Sequence, residues 1–407
     1  MSIEGTCADR FSEVRTEFER NFAERGEVGA AVCVTLDGET LVDLWGGAAD
    51  PATGRAWERD TVGIVWSCTK GAAALCAHVL IGRGELSLDD RVADHWPEFA
   101  KNGKDAVTVR MLLAHQAGLA ALREPIPPDG YRDWELIVDL LAQQEPLWEP
   151  GTRHGYHALS FGHLVGEVVR RVSGRSIGTF FREEIAAPRD IDFWIGLPAE
   201  HAARVAPTIP ADIGPDTLLP SFYRVAMTEP TSIGALVLMN SGAVFAPGWI
   251  DTPETYAAEL PAFGGVGNAR ALAGMYAALA IGGDGLVDAE QLDVMRAVAS
   301  ATSVDATMLV PTRWSTGFVK SMDNRALAPG DRDGVVLSED AFGHVGMGGS
   351  IGFVDPAARL SFGYTMNRQG IGVGLDARGQ SLVDAVYRAL GYQRPARGGS
   401  WFKRVKA

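Results

Sequence analysis

Val65-Trp66-Ser67-Cys68-Thr69-Lys70-Gly71, running on into Ala72-Ala73-Ala74-Leu75-Cys76-Ala77-His78-Val79-Leu80-Ile81, is the stretch on which the reading of this chain turns. It sets a hydroxyl and an amine three residues apart where a helix begins, and residues at i and i+3 share one helical face. Ser67 and Lys70 are thereby brought within reach of one another. A serine hydroxyl is a weak nucleophile until a base takes its proton. Lysine serves as that base only when desolvation or nearby positive charge lowers its pKa. The run after Lys70 is apolar almost all round and ends at Gly82 and Gly84, which predicts a helix buried in an interior. Such a helix supplies the dry setting that a neutral Lys70 requires.

Other stretches compete for the same chemistry. Ser400-Trp401-Phe402-Lys403 repeats the spacing, but in a polar tail with no apolar helix behind it. Gly348-Gly349-Ser350-Ile351-Gly352 matches the nucleophile elbow of α/β-hydrolases, a fold that needs its histidine after the serine. All eight histidines precede Ser350, the last being His344, and Phe353-Val354-Asp355 continues as a strand. Ser350 therefore reads as the glycine-rich start of a strand. His154-Gly155-Tyr156-His157 has a spacing open to metal ligation, yet neither a His-Glu-x-x-His pattern nor a cysteine pair accompanies it, and no metal site is expected.

The 407 residues, 46% of them hydrophobic, suffice for one large domain or two with a substantial core. A formal net charge of −14 without any offsetting basic block argues against a nucleic-acid partner. Lys403, Arg404 and Lys406 are too few to change that. Met1 to Arg10 lacks the apolar run of a secretory signal, and no stretch of about 18 apolar residues is present to span a bilayer. Cys7, Cys33, Cys68 and Cys76 have no disulfide or zinc spacing, which fits a reducing compartment. The expectation is a cytoplasmic enzyme with a small-molecule substrate and no membrane partner.

Along the chain, Phe11, Val14, Phe18 and Phe22 recur at helical spacing between Arg10 and Gly26. Val28 to Leu36 and Glu39 to Trp45 read as strands joined by a tight Asp37-Gly38 turn. Residues from Gly71 to Ser173 read as rich in helices. From Ala187 to Ala262 the chain shows no sustained period and many prolines, which predicts long loops along a cleft. A helix is predicted over Ala269 to Ala280, strands over Trp314 to Val319, Ala341 to Val345, Gly349 to Val354 and Arg359 to Asn367, and a last helix over Ser381 to Leu390. Strands at both ends around a helical middle predict one sheet built from both termini. The expected division is an α/β part of residues 1–64 and 260–407 and a helical part of residues 65–259 with long loops lining the cleft.

Four motifs in order carry a family resemblance. Ser67-Cys68-Thr69-Lys70, Leu112-Leu113-Ala114-His115-Gln116-Ala117-Gly118-Leu119, Trp148-Glu149-Pro150-Gly151 with Tyr156 shortly after, and His344-Val345-Gly346 resemble the landmarks of class C β-lactamase-like serine hydrolases. That resemblance implies an α+β fold, a mostly antiparallel sheet flanked by helices plus an all-helical domain. It implies Ser67 as acylated nucleophile, Lys70 and Tyr156 as its proton network, and an oxyanion site from the N–H groups of Ser67 and Met347. Substrate contacts would come from His344, Gly346 and His157, with neither metal nor organic cofactor. Where β-lactamases have Tyr-x-Asn this chain has Tyr156-His157-Ala158, and where they have Lys-Thr-Gly it has His344-Val345-Gly346. Losing an amide and a permanent charge points away from β-lactams and toward neutral esters, as in the family VIII carboxylesterases to which the chain is most similar. Short-chain ester hydrolysis is the expected activity. A β-lactamase, a D-aminopeptidase, an acyltransferase and an inactive penicillin-binding-like module are the alternatives.

Overall fold

The computed structural model describes residues 2–332, 334–396 and 398–403; Arg404 and Lys406 of the basic tail lie outside them. The first elements are β1 (Ile3–Cys7), α1 (Ser12–Glu24), β2 (Gly29–Leu36) and β3 (Glu39–Asp50). The middle supplies α2 (Thr69–Gly82), α3 (Ser160–Ser173), α4 (Ser221–Thr228) and α5 (Ile233–Met239). After α6 (Ala269–Ala280) come β4 (Ser300–Thr302), β5 (Thr312–Trp314) and β6 (Val319–Lys320). The chain closes with β7 (Phe342–Val345), β8 (Ile351–Asp355), β9 (Leu360–Met366) and α7 (Ala377–Ala389). The main sheet has the order β1-β3-β2-β9-β8-β7-β6-β5-β4, with Arg55–Ala56 added beside β3. Both chain ends thus contribute to one antiparallel sheet in a mixed α+β architecture.

The local chemistry explains the register. Asp37 and Gly38 both have positive φ, 55° and 84°, the backbone that a two-residue hairpin turn needs to match strand twist. Phe11, Val14 and Phe18 are buried together with Leu382, Val386 and Leu390 against one face of the sheet. Leu272, Met275, Tyr276 and Leu279 of α6 belong to the larger core on the helical side. In α2 every residue except Ile81 and Gly82 is buried, as expected of a helix without a polar face.

Several elements differ from the sequence reading. The span expected as loops from Ala187 to Ala262 contains α4 and α5, the latter capped by Ser232, whose Oγ accepts the Ala235 N–H at 3.1 Å. Helices of seven or eight residues complete too few turns for their period to stand out. The same span supplies Phe193–Trp194 and Val205–Ala206 to a small second sheet with Val62–Ile64 and Val266–Gly267. Trp314 to Val319 is a tight hairpin rather than one strand, because Gly317 at φ 96° turns the chain and Ser315 N–H bonds to the Phe318 carbonyl at 2.8 Å. The final helix starts four residues earlier than expected, where Asp376 accepts the Arg378 N–H at 2.9 Å. β1 carries no strand signal in the sequence because its middle residues Glu4, Gly5 and Thr6 are exposed at the sheet edge, leaving no apolar alternation. Among the described residues, no helix is long and apolar enough to cross a membrane.

Candidate active site

Ser67 lies at a strained junction. The strand Val62–Ile64 leads to Trp66 at φ 47°, a region bulky residues rarely adopt, and a 3-10 turn over Trp66–Cys68 then passes into α2. Such strain collects at functional sites and persists only where neighbours impose it. Here Val65 N–H bonds to the Gly265 carbonyl at 3.0 Å, while Gly265 N–H bonds to Thr69 Oγ1 at 2.9 Å. A Cβ on Gly265 would stand 2.6 Å from Thr69 Oγ1, so only glycine permits this approach.

Lys70 is fully buried. Its Nζ lies 3.2 Å from Ser67 Oγ, 2.7 Å from the Ala158 carbonyl and 2.9 Å from the Ala262 carbonyl. Burial holds its pKa well below the usual lysine range. A neutral amine has two N–H donors and one lone pair. With the two carbonyls taking both hydrogens, the lone pair is left for the Ser67 hydroxyl. Ala158, which stands in place of the β-lactamase asparagine, thus serves the site through its backbone.

Tyr156 completes the cluster. Its ring lies 4.8 Å from Lys70 Nζ and stacks on Trp314 at 5.1 Å with 2° between planes. Burial raises the phenol pKa, and a hydrogen bond with Ser67 works against that rise. The segment is anchored by Asp305, which is fully buried. One Asp305 oxygen accepts the N–H groups of Tyr156, Thr307 and Met308 at 3.0, 2.8 and 2.9 Å, and the other accepts the Thr312 hydroxyl at 2.9 Å.

The strand β7 and its turn bring Met347 to the same place. Gly346 approaches Val65 so closely that a Cβ would lie 2.2 Å from its carbonyl oxygen. Among the described residues, the Ser67 and Met347 N–H groups donate to no other protein group. The next turn is braced by Arg378, which donates to the Gly348 carbonyl at 3.1 Å and to Glu27 at 2.9 Å.

The histidines divide. His344 Nδ1 bonds to the Val345 carbonyl at 2.8 Å, Nε2 has no partner among the described residues, and burial followed by the Lys70 charge pushes its pKa down to about 3. It is neutral and lies beside Tyr156, ring centroids 6.1 Å apart, on the lining of a neighbouring cavity. His157 packs against His115 and Trp148; its Nδ1 bonds to the Gly155 carbonyl at 2.7 Å and Nε2 accepts the Leu119 N–H at 3.1 Å. With both ring nitrogens engaged and no exposed surface, the His157 side chain has nothing left to offer a ligand, unlike the substrate contact expected of it. Its own N–H reaches His115 Nδ1 at 3.1 Å. Ser350 is buried, with Oγ donating to the Val65 carbonyl at 3.0 Å. Ser400 bonds to Ser321 and Glu339. Among the described residues, no group of three or more His, Cys, Asp or Glu is placed to hold a metal ion.

Ser67 opens on a cavity of about 510 Å³, mouth included, lined by Trp66, Leu159, Tyr223, Val237, Phe263 and Met347 among others. None of its lining residues carries a charge.

The family model for Beta-lactamase matches residues 16–386. The chain belongs to the beta-lactamase family. It is a serine hydrolase. Esterase/beta-lactamase LipL of Mycobacterium tuberculosis is 36% identical over 376 residues, covering 89% of this chain and 82% of that protein. The crystal structure of a family VIII carboxylesterase superposes with a TM-score of 0.80 at 38% identity, covering 96% of this chain and all of the other. A penicillin-binding protein homolog from Caulobacter crescentus superposes with a TM-score of 0.82 at 37% identity over 96% of this chain and all of the other.

Several residues of this candidate site carry no local signal in the sequence. Asp305 lies 149 positions from Tyr156 in the chain, and Trp314 and Ala262 are similarly remote. Phe222, Tyr223 and Val237 sit in the short helices α4 and α5; the spacing of Ile233, Leu236 and Val237 after Ser232 was the available signal.

Proposed function

We propose that the protein is a carboxylesterase that hydrolyses short-chain esters through an acyl-enzyme on Ser67. Neutral Lys70 takes the Ser67 proton as Oγ bonds to the ester carbonyl carbon. The carbonyl electron pair moves onto oxygen, where the N–H groups of Ser67 and Met347 receive it. On collapse the bond to the alkoxy oxygen breaks, and the proton passes from Lys70 through Tyr156 to the departing alcohol. Water then repeats the sequence against the acyl-enzyme, releasing the acid and returning the proton to Ser67.

The observation that carries the ester assignment is the uncharged lining of the cavity at Ser67. The buried, neutral His344 stands where a β-lactamase lysine would pair with a substrate carboxylate. A neutral ester brings no charge to desolvate, whereas an unpaired carboxylate entering such a cavity is costly.

The test offers p-nitrophenyl acetate and a chromogenic cephalosporin side by side to the native protein and to Ser67→Ala. Turnover of the ester, its loss by roughly ten-thousandfold in the variant and labelling of Ser67 by a fluorophosphonate are expected. Preference for the cephalosporin overturns the ester assignment, and full ester activity in Ser67→Ala overturns the nucleophile. Adding an alcohol acceptor to the same assay shows acyl transfer, if present, as a new ester.

A further inference from the structure

A second cavity, about 730 Å³ with its mouth, shares the Tyr156 wall with the first. Tyr156, Phe222, Met308 and Val373 line both cavities, so the two adjoin along Tyr156. Its remaining walls include Trp314, Val319, Met322, Val335 and Val345. The charged residues on its lining are already engaged. Arg313 pairs with Glu339 at 2.8 Å, Lys320 donates to the Glu339 carbonyl at 2.6 Å, and Asp331 accepts Ser221 N–H and Oγ–H at 2.6 and 2.7 Å.

The Asp331 contacts matter for shape. Asp331 and Gly330 come from the loop before Val335, while Pro220 and Phe222 flank the start of α4. Asp331 therefore clasps two separate walls of this cavity together at Ser221.

We propose that this compartment bordering Tyr156 receives the alcohol portion of the ester, selects bulky apolar primary alcohols, and is held closed by the Asp331–Ser221 clasp. This inference rests on the esterase reading above. The leaving oxygen must face the phenol that protonates it, and what that oxygen carries extends past Tyr156. The acyl group, bonded to Ser67, stays in the first cavity against Leu159, Val237 and Phe263. With its charged groups paired, this largely apolar compartment rewards each buried methylene.

The experiment compares kcat/KM for ethyl, cyclohexylmethyl and tetrahydropyran-4-ylmethyl acetates. All three are esters of primary alcohols and pass through one acetyl-enzyme, so the ratio reads acylation. Cyclohexylmethyl acetate is expected to exceed both others by about tenfold or more. Val335→Phe, which fills the compartment, and Asp331→Ala, which unclasps it, are each expected to bring that ratio toward one. If Val335→Phe does not fold, Asp331→Ala alone decides. Equal rates on all three acetates by a protein whose Ser67 labels with fluorophosphonate overturn the alcohol compartment and leave the esterase standing. So does a shift, in either variant, of the ratio between ethyl cyclohexylacetate and ethyl acetate in place of the alcohol ratio. Failure of every ester, with no labelling of Ser67, overturns the esterase reading and this inference with it.

Discussion

Ser67 to Lys70 and Ser400 to Lys403 have the same spacing, and each lysine even lies over a tyrosine ring, at 4.8 Å from Tyr156 and 5.8 Å from Tyr392. Their surroundings share little else. The first pair spans a 3-10 turn entering a helix, where positions three apart face one way. The second lies in extended chain, with Trp401 bridged to Ser338 and Phe402 to Gln393, where positions three apart point to opposite sides. Ser400 is committed to Glu339 and Lys403 is exposed. Lys70 is buried on two carbonyls beside Ser67. Three-residue spacing is thus chemistry only where the backbone is helical and water is excluded.

The comparison breaks most decisively at the base. Lys70→Met is expected to lower kcat/KM for p-nitrophenyl acetate by about a thousandfold, while the circular dichroism of the native fold is retained. A loss under tenfold would place the base elsewhere. Tyr156→Phe is expected to cost about a hundredfold, with a larger fraction lost for alkyl esters than for p-nitrophenyl esters, because the poorer leaving group needs the proton more.

The pH profile sharpens the contrast further. In the proposed mechanism neutral Lys70 is the active form, so activity is expected to fall about tenfold per pH unit below its folded-state pKa and to be flat above it. Because burial lowers that pKa, the plateau of kcat/KM should be reached well short of the ordinary lysine value of about 10.4. A rise continuing to that value would mean that Lys70 is hydrated. Tyr156 shifts upward and should add no descending limb near neutrality.

Smaller effects complete the series. Ser350→Ala removes a hydrogen bond to the Val65 carbonyl and is expected to cost about 1 kcal/mol of unfolding free energy, with ester turnover changed by less than about threefold; loss of labelling at Ser67 would reinstate Ser350. Ser400→Ala and Lys403→Ala are expected to leave kcat/KM within about twofold.

Much of this fold was legible because its signals are local. The aromatic stripe from Phe11 to Phe18, the Asp37-Gly38 turn and the apolar run behind Lys70 each report a period or a turn within a few residues. The edge strand β1 and the short helices α4 and α5 escaped because an edge strand needs no buried face and two turns of helix show no period. Within the candidate site, Ser67, Lys70 and Tyr156 were recognisable by motif. His157 shared its motif with them, yet backbone partners claim both of its ring nitrogens.

The sequence by itself determined a hydroxyl and an amine on one helical turn, an apolar helix to bury them, and an acidic chain. These follow from spacing and composition alone. Only the tertiary structure decided that the carbonyls of Ala158 and Ala262 hold the amine with its lone pair toward Ser67. It also decided that Asp305 anchors the tyrosine and that two cavities meet at Tyr156. Those features join residues as far as 192 positions apart, and no local pattern encodes a contact made only when separate elements pack.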